Sequence, residues 1–336
     1  MTEDKKEQKK QGLRRGIKIC LIVFFIAFIL AVVGSLFYLK WIINSPVSGE
    51  TGKKYFEVKQ GESTITISEN LAERNLIKSD IIFATYVRIK SGSLMPGIYE
   101  IPKNAKMIDV YDVISNGKTK VAKFTIPEGY RVEQTGQLLE EKKLGNYEDF
   151  VLKAKKYEGQ LFPDTYFISP DYTTDEIIET MHQNYLDKVE DLKLSTEDLI
   201  IASIVEREAD REEQRPIIAG IYKNRLEAGM KLQSDPTVQF GKDDQNIKFT
   251  TLSERLNYQY WRAITNADFT AVNSLYNTYQ VEGLPPGPIC NPGIAAINAT
   301  INYTKSDYLF FIVVDSKIYT AKTYAEHKAN VAKYMN

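Results

Sequence analysis

The feature that most limits this chain is a run of 21 residues without a charged side chain, Ile19 to Leu39 (ICLIVFFIAFILAVVGSLFYL). As a helix rising about 1.5 Å per residue, it reaches across the roughly 30 Å hydrocarbon layer of a bilayer. A core helix of a soluble domain would carry a polar stripe, and this run has none. A cleavable signal peptide has a shorter apolar stretch ending at an A-x-A type site, which is absent here. The run therefore reads as a single transmembrane helix over 19–39. The 18 residues before it hold seven Lys/Arg and three Asp/Glu, a net of +4. The positive-inside rule makes residues 1–18 a cytoplasmic tail and puts the rest of the chain outside the cytoplasm, with Lys40 and Trp41 as an interfacial pair.

This division gives the composition its meaning. The whole chain of 336 residues has 43 basic and 44 acidic side chains, a net of −1. Split at the membrane, that becomes +4 on the tail and −5 beyond it, 36 basic against 41 acidic. Neither part is a general polyanion binder, so no nucleic-acid partner is expected. The histidines are His182 and His327 and the cysteines Cys20 and Cys290. That is too little material for a His/Cys zinc site, and a thiol in the membrane cannot pair with one outside it. No metal and no cofactor is expected. The chemistry falls to carboxylates, hydroxyls and amides.

Beyond the membrane, residues 40–53 are largely polar, with Pro, Ser and Gly, and read as a linker. Strand, helix, helix, strand and a further short helix then follow between Lys54 and Asn116, a compact α+β module. It serves either as a packing stalk or as a binder of a sugar polymer. From Val121 a longer α+β region begins. A strand at 122–126 leads to helices near 132–142, 147–156, 174–190, 195–211 and 216–227, the last ended by Gly229. A helix at 293–302, strands at 308–314 and 317–320 and a helix at 323–334 close the chain.

The helix that opens at Ser195 is the most informative. Ile201, Ile204, Val205 and Glu208 stand at i, i+3, i+4 and i+7, so Glu208 continues an apolar stripe while Glu206 lies about 200° round. A carboxyl on an apolar face is desolvated, which raises its pKa toward the range of a general acid. Pairing with an arginine, or simple emergence into solvent, is the structural alternative; Glu206, Glu212 and Glu213 read as solvated charges. Three polar clusters join it: the Pro-Asp-Thr run inside 158–166, the Gln-Ser-Asp-Pro-Thr run at 233–237, and Tyr276-Asn277-Thr278-Tyr279 ahead of Gly283-Leu284-Pro285-Pro286-Gly287-Pro288. Stiff loops that carry amides, hydroxyls and aromatic rings suit sugar recognition; each is also an ordinary capped turn. No phosphate-binding loop, dinucleotide fingerprint, zinc-protease helix or serine-hydrolase elbow occurs. His327 on an amphipathic helix reads as structural. Cys290 has no histidine tied to it in sequence, which weakens a thiol nucleophile.

The motifs LFPDTY (161–166), ASIVERE (202–208), YKNRLEAGMKLQSDPTV (222–238) and YNTYQVEGLPPGPICNPGIAAINA (276–299), together with the anchor, resemble the YceG-like endolytic murein transglycosylases. The likeness covers nearly all of 54–336. Residues 241–270 follow no motif of the family, and TINYTKSDY replaces a proline-containing turn after Ala299. The resemblance implies an α+β fold: a single N-terminal transmembrane helix, a small LysM-like module over 54–120 and a larger catalytic domain over 121–336. It implies a bacterial cell-membrane protein that cuts the MurNAc–GlcNAc bond of nascent peptidoglycan strands, leaves a 1,6-anhydroMurNAc end and terminates elongation. Peptidoglycan synthases and the elongation or division machinery are the protein partners it implies. The second glutamate of Ile204-Val205-Glu206-Arg207-Glu208 matches the family's catalytic one, so Glu208 is the expected acid/base. Asp164, Thr165, Gln233, Asp235, Thr237, Asn277 and Tyr279 are the expected substrate-binding residues. Two rivals remain: a hydrolase that uses Asp164 or Asp235 as second carboxylate, and a non-catalytic wall-binding scaffold.

Overall fold

The computed structural model describes residues 3–117, 121–169, 171–248 and 250–335, with side chains from residue 21 onward. Met1 and Thr2 of the expected tail, and residues 118–120 at the expected module boundary, lie outside the described residues. The chain is mixed α+β and divides into two units, 1–121 and 122–336.

The first unit opens with α1 (Glu3–Asn44). Its Leu21–Asn44 stretch is the one helix, among the described residues, long and apolar enough to cross a membrane. The end of α1 departs from the sequence expectation. Residues 40–44 continue the helix instead of starting a linker, and Ile42 is 3% exposed inside the unit's core. The Lys78 ammonium sits 3.7 Å from the Trp41 ring centre, a cation–π contact on the same turn. Strand β1 (Lys53–Val58) pairs antiparallel with β2 (Gly97–Pro102). Between them lie α2 (Thr64–Glu73) and α3 (Asp80–Ile89), and α4 (Met107–Ser115) follows. Ser63 and Ser79 cap α2 and α3 by accepting the N–H groups of Thr66 and Ile82. Phe56, Leu71, Phe83, Tyr99 and Val110 fill the core.

In the second unit β3 (Ala122–Thr125) pairs antiparallel with β4 (Thr165–Ile168). Around this ribbon pack α5 (Val132–Glu141), α6 (Tyr147–Ala154) and α7 (Thr174–Val189), joined through Leu139, Phe150, Leu161 and Met181. A second core forms on α8 (Thr196–Glu208) and α9 (Arg215–Glu227), with Leu232, Phe240 and Ile289. Then come α10 (Asp235–Ile247), α11 (Leu252–Leu256), α12 (Asp268–Ala271) and α13 (Ile294–Ile301). A β-hairpin of β5 (Phe310–Val314) and β6 (Lys317–Ala321) precedes α14 (Tyr324–Tyr334). Helix α10 was not expected. Its Ser-Asp-Pro start reads as a turn, yet proline in the first turn of a helix gives up only an N–H with no partner there.

A buried charge cluster ties α5, the turn after α6 and α10 together. Arg131 is fully buried; it binds Glu133 at 2.6 Å, contacts Asp244, and lies 4.0 Å over the Phe240 ring. Lys155 reaches Glu133 at 2.7 Å, and Glu158 accepts the Val132 N–H at 3.1 Å. Burial opposes the Glu133 charge, but Arg131 and Lys155 outweigh it and hold the carboxyl down at about 2. For Glu158 burial and the neighbouring Glu133 charge win, pushing it up to about 8.

Candidate active site

Helix α8 is built to deliver a carboxyl at its end. Ser195 and Asp198 cap its start reciprocally, each side chain taking the other's backbone N–H. Every residue from Leu199 to Val205 is buried, so the helix is sheathed on all sides rather than along one stripe. It stops at Glu208, three residues earlier than the sequence suggests, because Ala209 is extended and the Gln214 side chain accepts the N–H groups of Asp210 and Arg211. Glu208 thus sits at the negative end of the helix, where partial charge disfavours a carboxylate.

Two hydroxyls bind it. Tyr222 Oη on α9 donates to Oε1 at 2.7 Å and Ser234 Oγ to the same oxygen at 2.6 Å. Oε2 has no hydrogen-bond partner among the described residues and is the oxygen left for a ligand. Burial raises the Glu208 pKa above the usual range; the two donors and Arg225 pull against that rise, and the Asp235 charge adds to it. Tyr222 is itself buried, which pushes its phenol well above the ordinary value and keeps it a donor.

The hydroxyl of Ser234 is held in turn. Its N–H bonds to Thr278 Oγ1 at 3.0 Å, and Thr237 Oγ1 donates to its carbonyl at 2.6 Å and meets Thr278 Oγ1 at 2.8 Å. Gln233 beside it has φ of +51°, the left-handed region a non-glycine residue rarely occupies, and its N–H bonds to Thr278 O. Strain of this kind persists where the surroundings fix it, typically at a binding site. Arg225 on α9 ties the far wall together, donating from Nε to Leu309 O and from Nη1 to Leu232 O, both at 2.6 Å.

An open cavity of about 390 Å³ lies over this centre. Glu208, Tyr222, Arg225, Gln233, Asp235 and Tyr279 line it, along with Phe310, Phe311, Tyr324 and His327 from the C-terminal hairpin and helix. Tyr279 Oη donates to Asp235 Oδ1 at 2.7 Å and its ring stacks on Phe269 at 4.0 Å. Of the residues singled out in the sequence, Glu208, Gln233, Asp235 and Tyr279 therefore meet at one cavity.

The others stand elsewhere. Thr237 and Asn277 are fully buried. Thr237 supports Ser234, while Asn277 Nδ2 donates to Phe269 O and Val272 O and its Oδ1 accepts the Tyr279 N–H. They shape the site from behind. Asp164 and Thr165 do not line the cavity: Asp164 accepts a hydrogen bond from Asn184 and lies 3.8 Å from Lys188, and Thr165 pairs with Thr125 across β3 and β4. The Leu161-Phe162-Pro163 segment that reads as a presenting loop is core leading into a strand, which explains their place. Glu206 differs from the sequence expectation as well. Its side chain is 6% exposed, ion-pairs with Arg215 at 2.9 Å and accepts the Gly293 N–H at 3.0 Å, so it is no solvated charge. Cys290 is fully buried, with its thiol pushed well up by burial, which leaves no thiolate nucleophile. Tyr222, Ser234 and Arg225 escaped the sequence reading; their signal was the YKNR run and the serine inside the second polar cluster.

Against known proteins, residues 56–333 match the YceG-like family. Proteins named endolytic murein transglycosylase from two Streptococcus pneumoniae strains, D39 and R6, are 31% identical over 94% of this chain. The chain spans 65% of the length of those relatives. The Bacillus subtilis protein of the same name is 28% identical over 83% of this chain and 84% of its own. A solved yceG-like protein of Listeria monocytogenes is 29% identical, covers 83% of this chain and 99% of its own, and superposes with a TM-score of 0.48. With the family matched across 56–333 of its 336 residues, this chain belongs to the YceG-like family.

Proposed function

We propose that this chain is an endolytic peptidoglycan lytic transglycosylase, a lyase that cuts the MurNAc–GlcNAc bond inside a glycan strand and leaves a 1,6-anhydroMurNAc end. The observation that carries this is Glu208: one carboxyl, withdrawn from water, with both protein donors on Oε1 and Oε2 left to the cavity. In the first step protonated Glu208 gives its proton to the bridging oxygen as the bond to C1 breaks. In the second its carboxylate takes the proton of the MurNAc 6-hydroxyl as that oxygen bonds to C1. The acid is restored and no water is consumed. A common glycosidase needs a second carboxylate to attack the sugar or activate water; a nucleophile held in the same sugar removes the need through proximity.

Asp235 in the same cavity is the specific feature that favours hydrolysis instead, since it is a second carboxyl near Glu208. Its bond from Tyr279 suits a positioning role better. Gln233, Asp235 and Tyr279 hold the sugar; Thr237 and Asn277 act through Ser234 and Tyr279. The apolar run and the basic residues before it make α1 a single membrane anchor with the N-terminus cytoplasmic and the chain beyond it outside; the resemblance adds residues 54–120 as a LysM-like module and peptidoglycan synthases as partners. The test is the full chain in detergent acting on purified glycan strands. Anhydro-ended products are expected from the unaltered chain, and at least about a hundredfold less from Glu208→Gln. Equal release by both proteins overturns the assignment.

A further inference from the structure

We propose that Tyr324 and His327, one turn apart on α14, form a sugar-binding subsite in the cavity of Glu208, taking an N-acetylhexosamine unit of the strand beside the units at the cut. This deepens, and rests on, the reading of the reaction above.

Helix α14 begins at a threonine cap. Thr323 caps it, its Oγ1 accepting the Glu326 N–H at 3.2 Å, so Tyr324 is the first helical residue and His327 follows on the same side. Tyr324 is 61% exposed, large and aromatic, yet it is held: Phe310 lies 5.9 Å away and His327 6.1 Å, centre to centre. The His327 ring stacks on Phe310 at 5.3 Å, and the Arg225 guanidinium lies 5.1 Å from the same Phe310 ring. The rings are thereby anchored to the arginine whose charge acts on Glu208. A fixed, exposed ring offers what the C–H face of a pyranose needs: apolar area whose ordering cost is already met.

His327 adds a polar edge to the same cavity wall. Its Nδ1 is buried against the protein with no hydrogen-bond partner among the described residues, so Nε2 is the ring nitrogen that a ligand in the cavity can meet. Burial and the Arg225 charge lower the His327 pKa, so the ring is neutral near pH 7 and offers one N–H and one lone pair. An acetamido group carries both an N–H and a carbonyl and can meet either tautomer without bringing a charge. Ring stacking plus a neutral amide partner fits an N-acetylated sugar better than an acidic or phosphorylated one.

The experiment uses the full chain in detergent with uncross-linked glycan strands. Tyr324→Ala and His327→Ala are each expected to raise KM about 2- to 10-fold with kcat little changed. Tyr324→Phe, which keeps the ring, and His327→Gln, which carries an amide to the place of Nε2, are expected to hold KM near that of the unaltered chain. An unchanged KM in both alanine variants, or a lower kcat at unchanged KM, overturns the subsite and leaves the proposed reaction standing. If the unaltered chain cuts nothing, strand binding to the Glu208→Gln chain reads the subsite instead. Adding Tyr324→Ala there weakens Kd by the same factor if the subsite exists and leaves Kd unchanged if it does not.

Discussion

Tyr222 and Ser234 both donate to Oε1 of Glu208, at 2.7 and 2.6 Å, and so compete with burial for control of its proton. Burial favours the neutral acid, while each hydroxyl favours the anion. A step that needs protonated Glu208 loses rate as pH rises through its pKa. Removing a donor destabilises the anion, raises that pKa further and moves the alkaline limb to higher pH. Ser234→Ala is therefore expected to shift the alkaline limb of kcat/KM upward and to lower the rate at the optimum about tenfold, the worth of one hydrogen bond to a charged group. A limb that stays put or moves down contradicts this. At this scale the sequence was legible only in part. Helical phase separated Glu208 from Glu206, but burial raises the pKa of both carboxyls, because α8 is buried all round as far as Val205. The family motif, not the phase, distinguishes them. Ser234 and Tyr222 were out of reach because their role exists only where α8, α9 and the segment before α10 converge.

The cap at Ser195 made the start of α8 readable, since it acts within four residues of sequence; Ser63, Ser79 and Thr323 act over the same short range. Thr165 stands away from the cavity because it pairs with Thr125, 40 residues away in sequence, and local pattern does not show that pairing. Tertiary burial also moved the end of α1. Ile42 lies in a sequence stretch that looks like linker and in a structure where it fills a core. Ile42→Ala is accordingly expected to cost about 2–5 kcal/mol, the range for a buried large-to-small change. Leu36→Ala, at a residue 60% exposed on the same helix, leaves stability unchanged. Thermal unfolding of the two detergent-solubilised variants checks this, and equal melting temperatures contradict it.

At the scale of the whole molecule, Glu158 in the Arg131 cluster gives the fold's stability a pH dependence opposite in sign to that of most carboxylates, including its neighbour Glu133. Glu158 has a folded-state pKa of about 8, against 4.5 for the free group. Between those values the folded state holds a proton that the unfolded state has lost. Its contribution is full below about pH 4.5 and disappears as pH rises toward about 8. Glu158→Gln is expected to remove that slope, at most about 1.4 kcal/mol per pH unit. Melting temperatures taken from mildly acidic to mildly alkaline pH read it directly; an unaltered slope in the variant contradicts the assignment.

In the proposed reaction one carboxyl cuts the strand without water. The most direct measurement is the reaction of the full chain on glycan strands in heavy-oxygen water, with the new ends weighed by mass spectrometry. Anhydro ends that carry no label are expected. Labelled reducing ends, one water heavier, would contradict the proposed reaction and make the chain a hydrolase with Asp235 as its second carboxylate.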